Sequence, residues 1–150
     1  MNASRLALLV QLGTTLPLVG LIWLVQVVSY PLFARVGAAE FPAYHAAHAR
    51  LITFVVAPLM LGELAGALGW LVPDAALPRE VAWLGASLAV LVWLLTMLVS
   101  VPKHEMLAQG FDGRAHELLV FTNWLRTGAW TLRGVILIWA VARMPPSIAP

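Results

Sequence analysis

The sequence predicts an all-α protein that crosses a membrane as a four-helix bundle. Of its 150 residues, 61% are hydrophobic and only 11% are charged, whereas a soluble domain has about 25% charged residues. The apolar residues form four stretches, each long enough to cross a hydrocarbon core of about 30 Å. Proline, glycine and charged residues separate the stretches. We therefore expect one integral membrane domain over residues 1–150, multi-pass and in the cell membrane.

The four predicted spans cover residues 6–33, 50–72, 81–101 and 117–141. The first apolar run is far longer than the 7–15-residue core of a signal peptide, so we expect it to be retained as a span. Four spans would place both termini on one side of the membrane. The lysines and arginines are divided almost evenly between the two sides, so the positive-inside rule assigns no orientation.

Proline residues predict several helix boundaries. Pro31 and Pro102 lie at the ends of the first and third spans and are predicted to end those helices. Pro42 occupies a favourable first-turn position, so a helix is predicted to begin near Glu40. Gly110 and Gly113 then predict a longer loop before the fourth span.

The composition also excludes several classes of function. The chain has no cysteine, which excludes disulfides, thiolate metal sites, iron–sulfur clusters and cysteine nucleophiles. The net charge is only +2, and no basic patch or nucleotide-binding loop is present. We therefore expect no nucleic-acid partner.

The fourth span carries a polar stripe. Its members recur at helical spacing and so share one face, namely His116, Leu119, Asn123, Arg126, Trp130 and Arg133. A charged residue inside a bilayer costs about 2.5–3.5 kcal/mol on insertion scales, so this face should meet protein or trapped water. The stripe therefore either holds the helices of the bundle together or forms its functional site.

Glu63 is the expected partner of this stripe. Counted from the helix starts, Glu63 and Arg133 lie at similar depth, and Arg126 is the alternative partner. Asn123, Arg126, Glu63 and Arg133 are accordingly the candidate catalytic residues of an internal cavity. The alternative is that they form structural pairs between helices.

The four histidines, His45, His48, His104 and His116, all belong to the side of the bundle opposite the termini. Neutral imidazole is a ligand for copper, iron and zinc, so they are candidate ligands of a metal or haem, with copper or haem as the cofactor. The alternative is that they cap loops at the membrane surface. Among the seven tryptophans, Trp124 and Trp130 are candidates for lining a pocket for a flat ligand, although belt and packing roles explain most tryptophans in such chains.

The two halves of the chain resemble each other. Val28-Ser-Tyr-Pro31 leads to a segment that ends at His45, and Val99-Ser-Val-Pro102 leads to a segment that ends at His116. The first and third spans run in the same direction, so a duplication would be a parallel repeat of two helix hairpins. The alternative is a chance recurrence in valine-rich helices.

The C-terminal half resembles the anthrone oxygenase-like family of small four-span membrane proteins. The resemblance rests on Pro102 at the end of the third span and on Thr122-Asn-Trp-Leu-Arg126-Thr127, with its N-x-x-R pattern. The named activity of that family is the oxidation of an anthrone, a fused-ring aromatic, to an anthraquinone. The resemblance implies a membrane oxidoreductase that acts on a lipophilic aromatic or quinone-like molecule.

Two other functions are compatible with these residues. The small size and the lack of a soluble domain suit a binding or accessory subunit of a larger membrane complex. Internal charges and a parallel repeat suit a small transporter. The expected partners are the lipid bilayer, a lipophilic small molecule and further subunits of an oligomer or complex.

Overall fold

The computed structural model describes residues 3–71 and 78–143, and this part of the chain is all-helical, without strands. Helix α1 joins an α-helix at Ala3–Leu24, a π-helical turn at Val25–Ser29 and a last α-helical turn at Tyr30–Phe33. Helix α2 covers Phe41–Gly69. The predicted end of the second span at residue 72 lies outside the described residues.

Helix α3 repeats the construction of α1. It joins an α-helix at Arg79–Leu95, a π-helical turn at Thr96–Ser100 and an α-helix at Val101–Ala108. Helix α4 covers Gly113–Arg143. The loop before α4 is therefore shorter than predicted, because Gly113 is already helical.

Three of the helices in the described part of the chain are long and apolar enough to cross a membrane, namely Leu6–Phe33, Phe41–Gly69 and Arg79–Ala108. Helix α4 is long enough, but Asn123, Arg126 and Arg133 lower its hydropathy. Of the four predicted apolar spans, three are therefore long and apolar enough to cross a membrane. This is consistent with a membrane protein.

The prediction that Pro31 and Pro102 end their helices is wrong, because both helices continue through the proline. Each proline lies in the first turn of the α-helical segment that follows a π-helical turn. The residue before it donates its N–H to the carbonyl five residues earlier, Tyr30 to Val25 and Val101 to Thr96. A proline ring clashes with the carbonyl four residues back in a regular α-helix, and the wider π turn relieves that clash.

Polar side chains are buried inside the bundle, and large apolar side chains cover its outside. Buried polar side chains come from all four helices, including Gln11, Glu63, Ser100 and Arg133. The surface instead presents large apolar side chains, with Phe54 80% and Phe121 73% exposed. This distribution suits a lipid environment, where charged groups turn toward the protein interior.

Helices α1 and α2 approach each other closely through glycine. A Cβ atom built on Gly62 would lie 2.9 Å from the methyl carbon of Thr14, and one on Gly66 would lie 3.2 Å from a methyl carbon of Val10. Small residues allow such close approach between membrane helices. The contact places Gln11 of α1 against the backbone of α2, where its amide nitrogen donates to the Glu63 carbonyl at 3.1 Å.

Candidate functional site

The interior of the bundle holds a buried ion pair between Glu63 and Arg133. Arg133 Nε lies 2.8 Å from Glu63 Oε1, and the two side chains are 3% and 0% exposed. The other carboxylate oxygen accepts the indole N–H of Trp130 at 3.0 Å. Thr15 of α1 donates to Glu63 Oε1 at 3.2 Å. The predicted pairing of Glu63 with Arg133 is confirmed.

Every nitrogen of the Arg133 guanidinium has a partner. Besides the bond from Nε to Glu63, Nη2 donates to Gln11 Oε1 at 2.7 Å and Nη1 donates to the backbone carbonyl of Gly85. These partners come from α1, α2 and α3, so Arg133 of α4 connects all four helices. Removing one partner of such a buried pair is strongly destabilising, because it leaves the other charge uncompensated. This geometry favours interhelical pairing for Glu63 and Arg133 over the predicted role in lining a cavity.

A separate cleft of about 460 Å³ lies between α2 and α3, with α1 and α4 as its floor. Its walls run from His45 to Met60 on α2 and from Trp93 to Ala108 on α3. Each wall covers fifteen helical steps, which gives a length of about 22 Å. Glu63 and Arg133 do not line it, whereas Arg126 and Trp130 do.

The cleft has a polar end and an apolar end. The polar end is lined by Tyr30, His45, His48, Ser100, His104 and Arg126, with Glu105 at the rim, and Thr53 and Thr96 also line the cleft. Its apolar lining includes Leu21, Ile22, Ile52, Val56, Met60 and Trp93. An apolar pocket with a few convergent polar groups is the usual form of a small-molecule site.

Arg126 is a buried cation without a carboxylate partner among the described residues. It is 7% exposed, and the only ion pair within residues 3–71 and 78–143 is the one between Glu63 and Arg133. Its Nη1 donates to Ser100 Oγ at 3.2 Å and to Asn123 Oδ1 at 3.1 Å. Its Nε has no partner.

The two π-helical turns hold Arg126 in place. Ser100 belongs to the π turn of α3, and Gln26 to that of α1. Gln26 Oε1 accepts from Asn123 Nδ2 at 2.7 Å, and Asn123 in turn accepts from Arg126. Asn123, a candidate catalytic residue from the sequence, therefore lies behind Arg126 and positions it, since it does not line the cleft.

Three buried side-chain atoms in the described part of the chain have no hydrogen-bond partner, namely His45 Nδ1, Trp93 Nε1 and Arg126 Nε. All three residues line the cleft, but these particular atoms are buried and do not face its open space. A buried polar group left without a hydrogen bond costs about 1–3 kcal/mol. A ligand in the cleft therefore meets other atoms of these side chains.

Three of the cleft residues form a hydrogen-bonded chain. His45 Nε2 lies 3.0 Å from His104 Nδ1, and His104 Nε2 lies 3.0 Å from the Tyr30 hydroxyl. Both ring nitrogens of His104 are therefore engaged. The two ends of the chain, His45 Nδ1 and the Tyr30 hydroxyl, belong to residues that line the cleft.

The predicted clustering of the four histidines is confirmed, because all four rings lie within 6.5 Å of the Phe33 ring centroid. A four-histidine metal site is not formed. His116 Nε2 donates to the backbone carbonyl of Tyr30 at 2.8 Å and so caps the end of α1. Among the described residues no group of three or more His, Asp or Glu side chains is placed to hold a metal ion. Both ring nitrogens of His104 and Nε2 of His116 bond to protein groups, so the four rings are not arranged as one set of free ligands.

The two tryptophans predicted to bind a ligand lie in different parts of the structure. Trp130 is 1% exposed, lies under Arg126 with a ring-to-guanidinium distance of 5.3 Å, and lines the cleft. Trp124 is 49% exposed and packs edge-on against Trp23 on the outside of the bundle. Only Trp130 can contact a ligand in the cleft.

Sequence reasoning missed Tyr30, Ser100 and Trp93 as site residues. Tyr30 and Ser100 each lie one or two positions before a proline in the repeated V-S-x-P pattern, so the repeat itself pointed to them. Trp93 carries no such signal, because a tryptophan in an apolar helix usually packs against lipid or core.

Comparison with known proteins finds no matching family model, no matching curated protein and no matching solved structure.

Proposed function

We propose that the cleft binds a flat lipophilic ring compound with a ketone or phenol oxygen, and that the protein is a membrane oxidoreductase that oxidises it. The observation that carries this proposal is the place of Arg126, a buried cation without a carboxylate partner among the described residues, in the lining of a largely apolar cleft. A guanidinium group can only donate hydrogen bonds. Arg126 therefore suits an oxygen acceptor, and the apolar walls suit an aromatic body.

The chemistry that fits this arrangement is oxidation through an anionic ring oxygen. Arg126 is a fixed cation in a low-dielectric setting, where it stabilises an enolate or phenolate far better than water does. An anthrone that loses a ring proton becomes such an anion, and the anion reacts with dioxygen. In the net reaction the ring CH2 group becomes a carbonyl, one oxygen atom enters that carbonyl, and the other leaves as water.

The substrate would enter from the bilayer. The cleft opens between α2 and α3, where Thr53 and Met97 are exposed at its rim. In a four-span bundle in the cell membrane this opening faces the lipid acyl chains, so a lipophilic molecule need not pass through water. The equivalent π turns of α1 and α3 support the two-hairpin repeat that such a bundle would contain.

The four-span arrangement predicts that both termini lie on the same side of the membrane. Short tags at the two termini, probed with a membrane-impermeant reagent in sealed vesicles, should be labelled together or protected together. Arg126 and Arg133 are buried, so α4 can cross the bilayer with its polar stripe against the other helices. With α4 as the fourth crossing, the chain returns to the side on which it began. Labelling of one terminus alone would contradict the four-span arrangement.

The oxidation itself is tested with anthrone and the purified protein in detergent. We expect oxygen uptake faster than the uncatalysed rate, with one dioxygen consumed per anthraquinone formed. Arg114→Met, which alters an exposed arginine of the same helix, should retain the wild-type rate. Tight binding of anthraquinone without any acceleration of oxygen uptake would contradict the enzyme and indicate a binding subunit.

A further inference from the structure

We infer that the ring compound in the cleft carries an apolar tail, an alkyl or isoprenoid chain, and that it binds with its ring in the polar half of the cleft and its tail in the apolar half. This inference rests on the proposed function for the ring and its oxygen. It extends that function by naming the ligand class, a membrane amphiphile with a single tail. It does not require oxidation.

The cleft is about twice as long as a fused ring system. Ser100 Oγ accepts from Arg126 Nη1 at 3.2 Å, so Ser100 marks the depth of the guanidinium group. On the α3 wall Ala108 lies eight helical steps from Ser100 and Trp93 lies seven steps from it in the other direction, which gives about 12 Å and about 10 Å. Two helical turns rise about 11 Å, close to the length of three fused six-membered rings. A ring on one side of Arg126 therefore leaves the other half of the cleft unfilled.

The side chains that line the two halves differ in kind. The polar half presents the flat rings of Tyr30, His48 and His104. The apolar half is lined largely by aliphatic side chains, namely Leu21, Ile22, Ile52, Val56 and Met60. Aromatic rings pack favourably on one another, whereas a flexible methionine adapts to irregular apolar shapes. The ring of the ligand therefore fits the polar half, and a flexible tail fits the apolar half.

The polarity of the cleft runs in the same direction as that of a lipid leaflet. Helices α2 and α3 are both long and apolar enough to cross a membrane, and Arg50 and Lys103 lie towards the polar end of the cleft, where long basic side chains reach the membrane interface. Met60 lies ten helical steps from Arg50, and Trp93 lies ten steps from Lys103. The apolar end is therefore about 15 Å deeper, which is half of a hydrocarbon core of about 30 Å. An amphiphile in this leaflet already holds its head and its tail at the depths that the cleft provides.

Photolabelling of the wild-type protein in lipid vesicles locates the two parts of the ligand. One probe is a naphthol with an unbranched octyl chain and a diazirine at the end of that chain, and the other carries the diazirine on the ring. Mass spectrometry should find tail adducts at Met60 or Trp93 and ring adducts at His48 or Glu105. Excess octylnaphthol without a diazirine should compete for both sets of adducts.

Two alanines of α2 allow each half of the cleft to be filled separately. His45 and His104 are bonded at 3.0 Å between the antiparallel helices, so Ala49 lies opposite Ser100, each four residues from its histidine. Ala57 lies about two turns deeper, and both alanines line the cleft. Ala57→Phe should lower the yield of tail adducts about 5-fold or more and leave the ring adducts, since overpacking a filled space costs at least that much. Ala49→Phe should lower the yield of both.

Val55→Phe is the matched control, because Val55 is exposed on the same helix and does not line the cleft. It should give the wild-type yields. Competed ring adducts in the cleft together with tail adducts on the outer residue Phe54 would overturn the tail and leave the proposed function intact. Tail adducts at His48 would reverse the orientation and overturn the inference. If neither probe gives competed adducts in the cleft, the proposed function is contradicted and the inference with it.

Discussion

Replacing Arg133 with methionine should lower the free energy of unfolding by about 3–5 kcal/mol, the typical cost of removing one partner of a buried ion pair. Methionine fills a similar volume but leaves Glu63 charged in the interior and removes the donors to Gln11 and Gly85. Chemical unfolding in detergent, followed by tryptophan fluorescence, measures the loss.

Three further variants distinguish the loss of the ion pair from a simple loss of packing. Glu63→Leu should cost about as much as Arg133→Met, and Glu63→Gln should cost less because the amide oxygen still accepts from Arg133. The double variant Glu63→Leu/Arg133→Met should lose less stability than the two single variants together. The reason is that an apolar pair can replace a buried ion pair at little cost. Losses no larger than that of the exposed control Arg114→Met would contradict the buried connection.

Arg126→Met should have the opposite consequence, with unchanged or increased stability and a large loss of ligand binding. Within the described residues Arg126 has no carboxylate to leave behind and its Nε already lacks a partner, so an apolar side chain removes a costly buried charge. A hydrogen bond to a charged group contributes about 1.5–3 kcal/mol, so affinity for anthraquinone should fall about 10–150-fold. Quenching of tryptophan fluorescence during an anthraquinone titration measures the affinity.

Arg126 and Arg133 are seven residues apart on one face of one helix, so the pair of methionine variants is internally matched. Arg126→Lys should recover part of the affinity, because the charge remains but the planar fork of donors is lost. Destabilisation of Arg126→Met equal to that of Arg133→Met would mean that Arg126 is a structural residue. Such opposite effects on stability and binding are typical of functional sites.

The polar stripe of α4 and the pairing of Glu63 with Arg133 could be predicted from the sequence. Both follow from the 3.6-residue period and from the cost of an isolated charge in lipid, which are properties of the chain alone. The start of α2 at Phe41 followed from Pro42 in the same way.

The continuation of α1 and α3 through Pro31 and Pro102 could not be predicted by the local rule for proline. The π turns that accommodate the rings contain Gln26 and Ser100, whose side chains form hydrogen bonds with α4 across the bundle. The role of His116 was equally non-local, because its ring caps a carbonyl 86 residues away in the chain.

The different environments of Arg133, in the ion pair, and Arg126, in the cleft, also depend on tertiary structure. Arg126 and Arg133 share a face and a residue type, and the sequence treats them alike. They differ in what the other helices place opposite them. Glu63 and the Gly85 carbonyl meet Arg133, whereas α2 and α3 separate beside Arg126 and leave the cleft.

The central claim, that this cleft is the ligand site, is tested most directly by photolabelling with benzophenone. Benzophenone is an aromatic ketone that forms covalent adducts with nearby C–H groups under ultraviolet light, so one compound supplies the oxygen acceptor, the apolar body and the label. Mass spectrometry should locate adducts on Met60 and Met97 at the cleft, competed by anthraquinone and lost in Arg126→Met. Adducts that fall instead on the exposed outer residues Phe54 and Leu98, at the same yield with and without anthraquinone, would contradict the account.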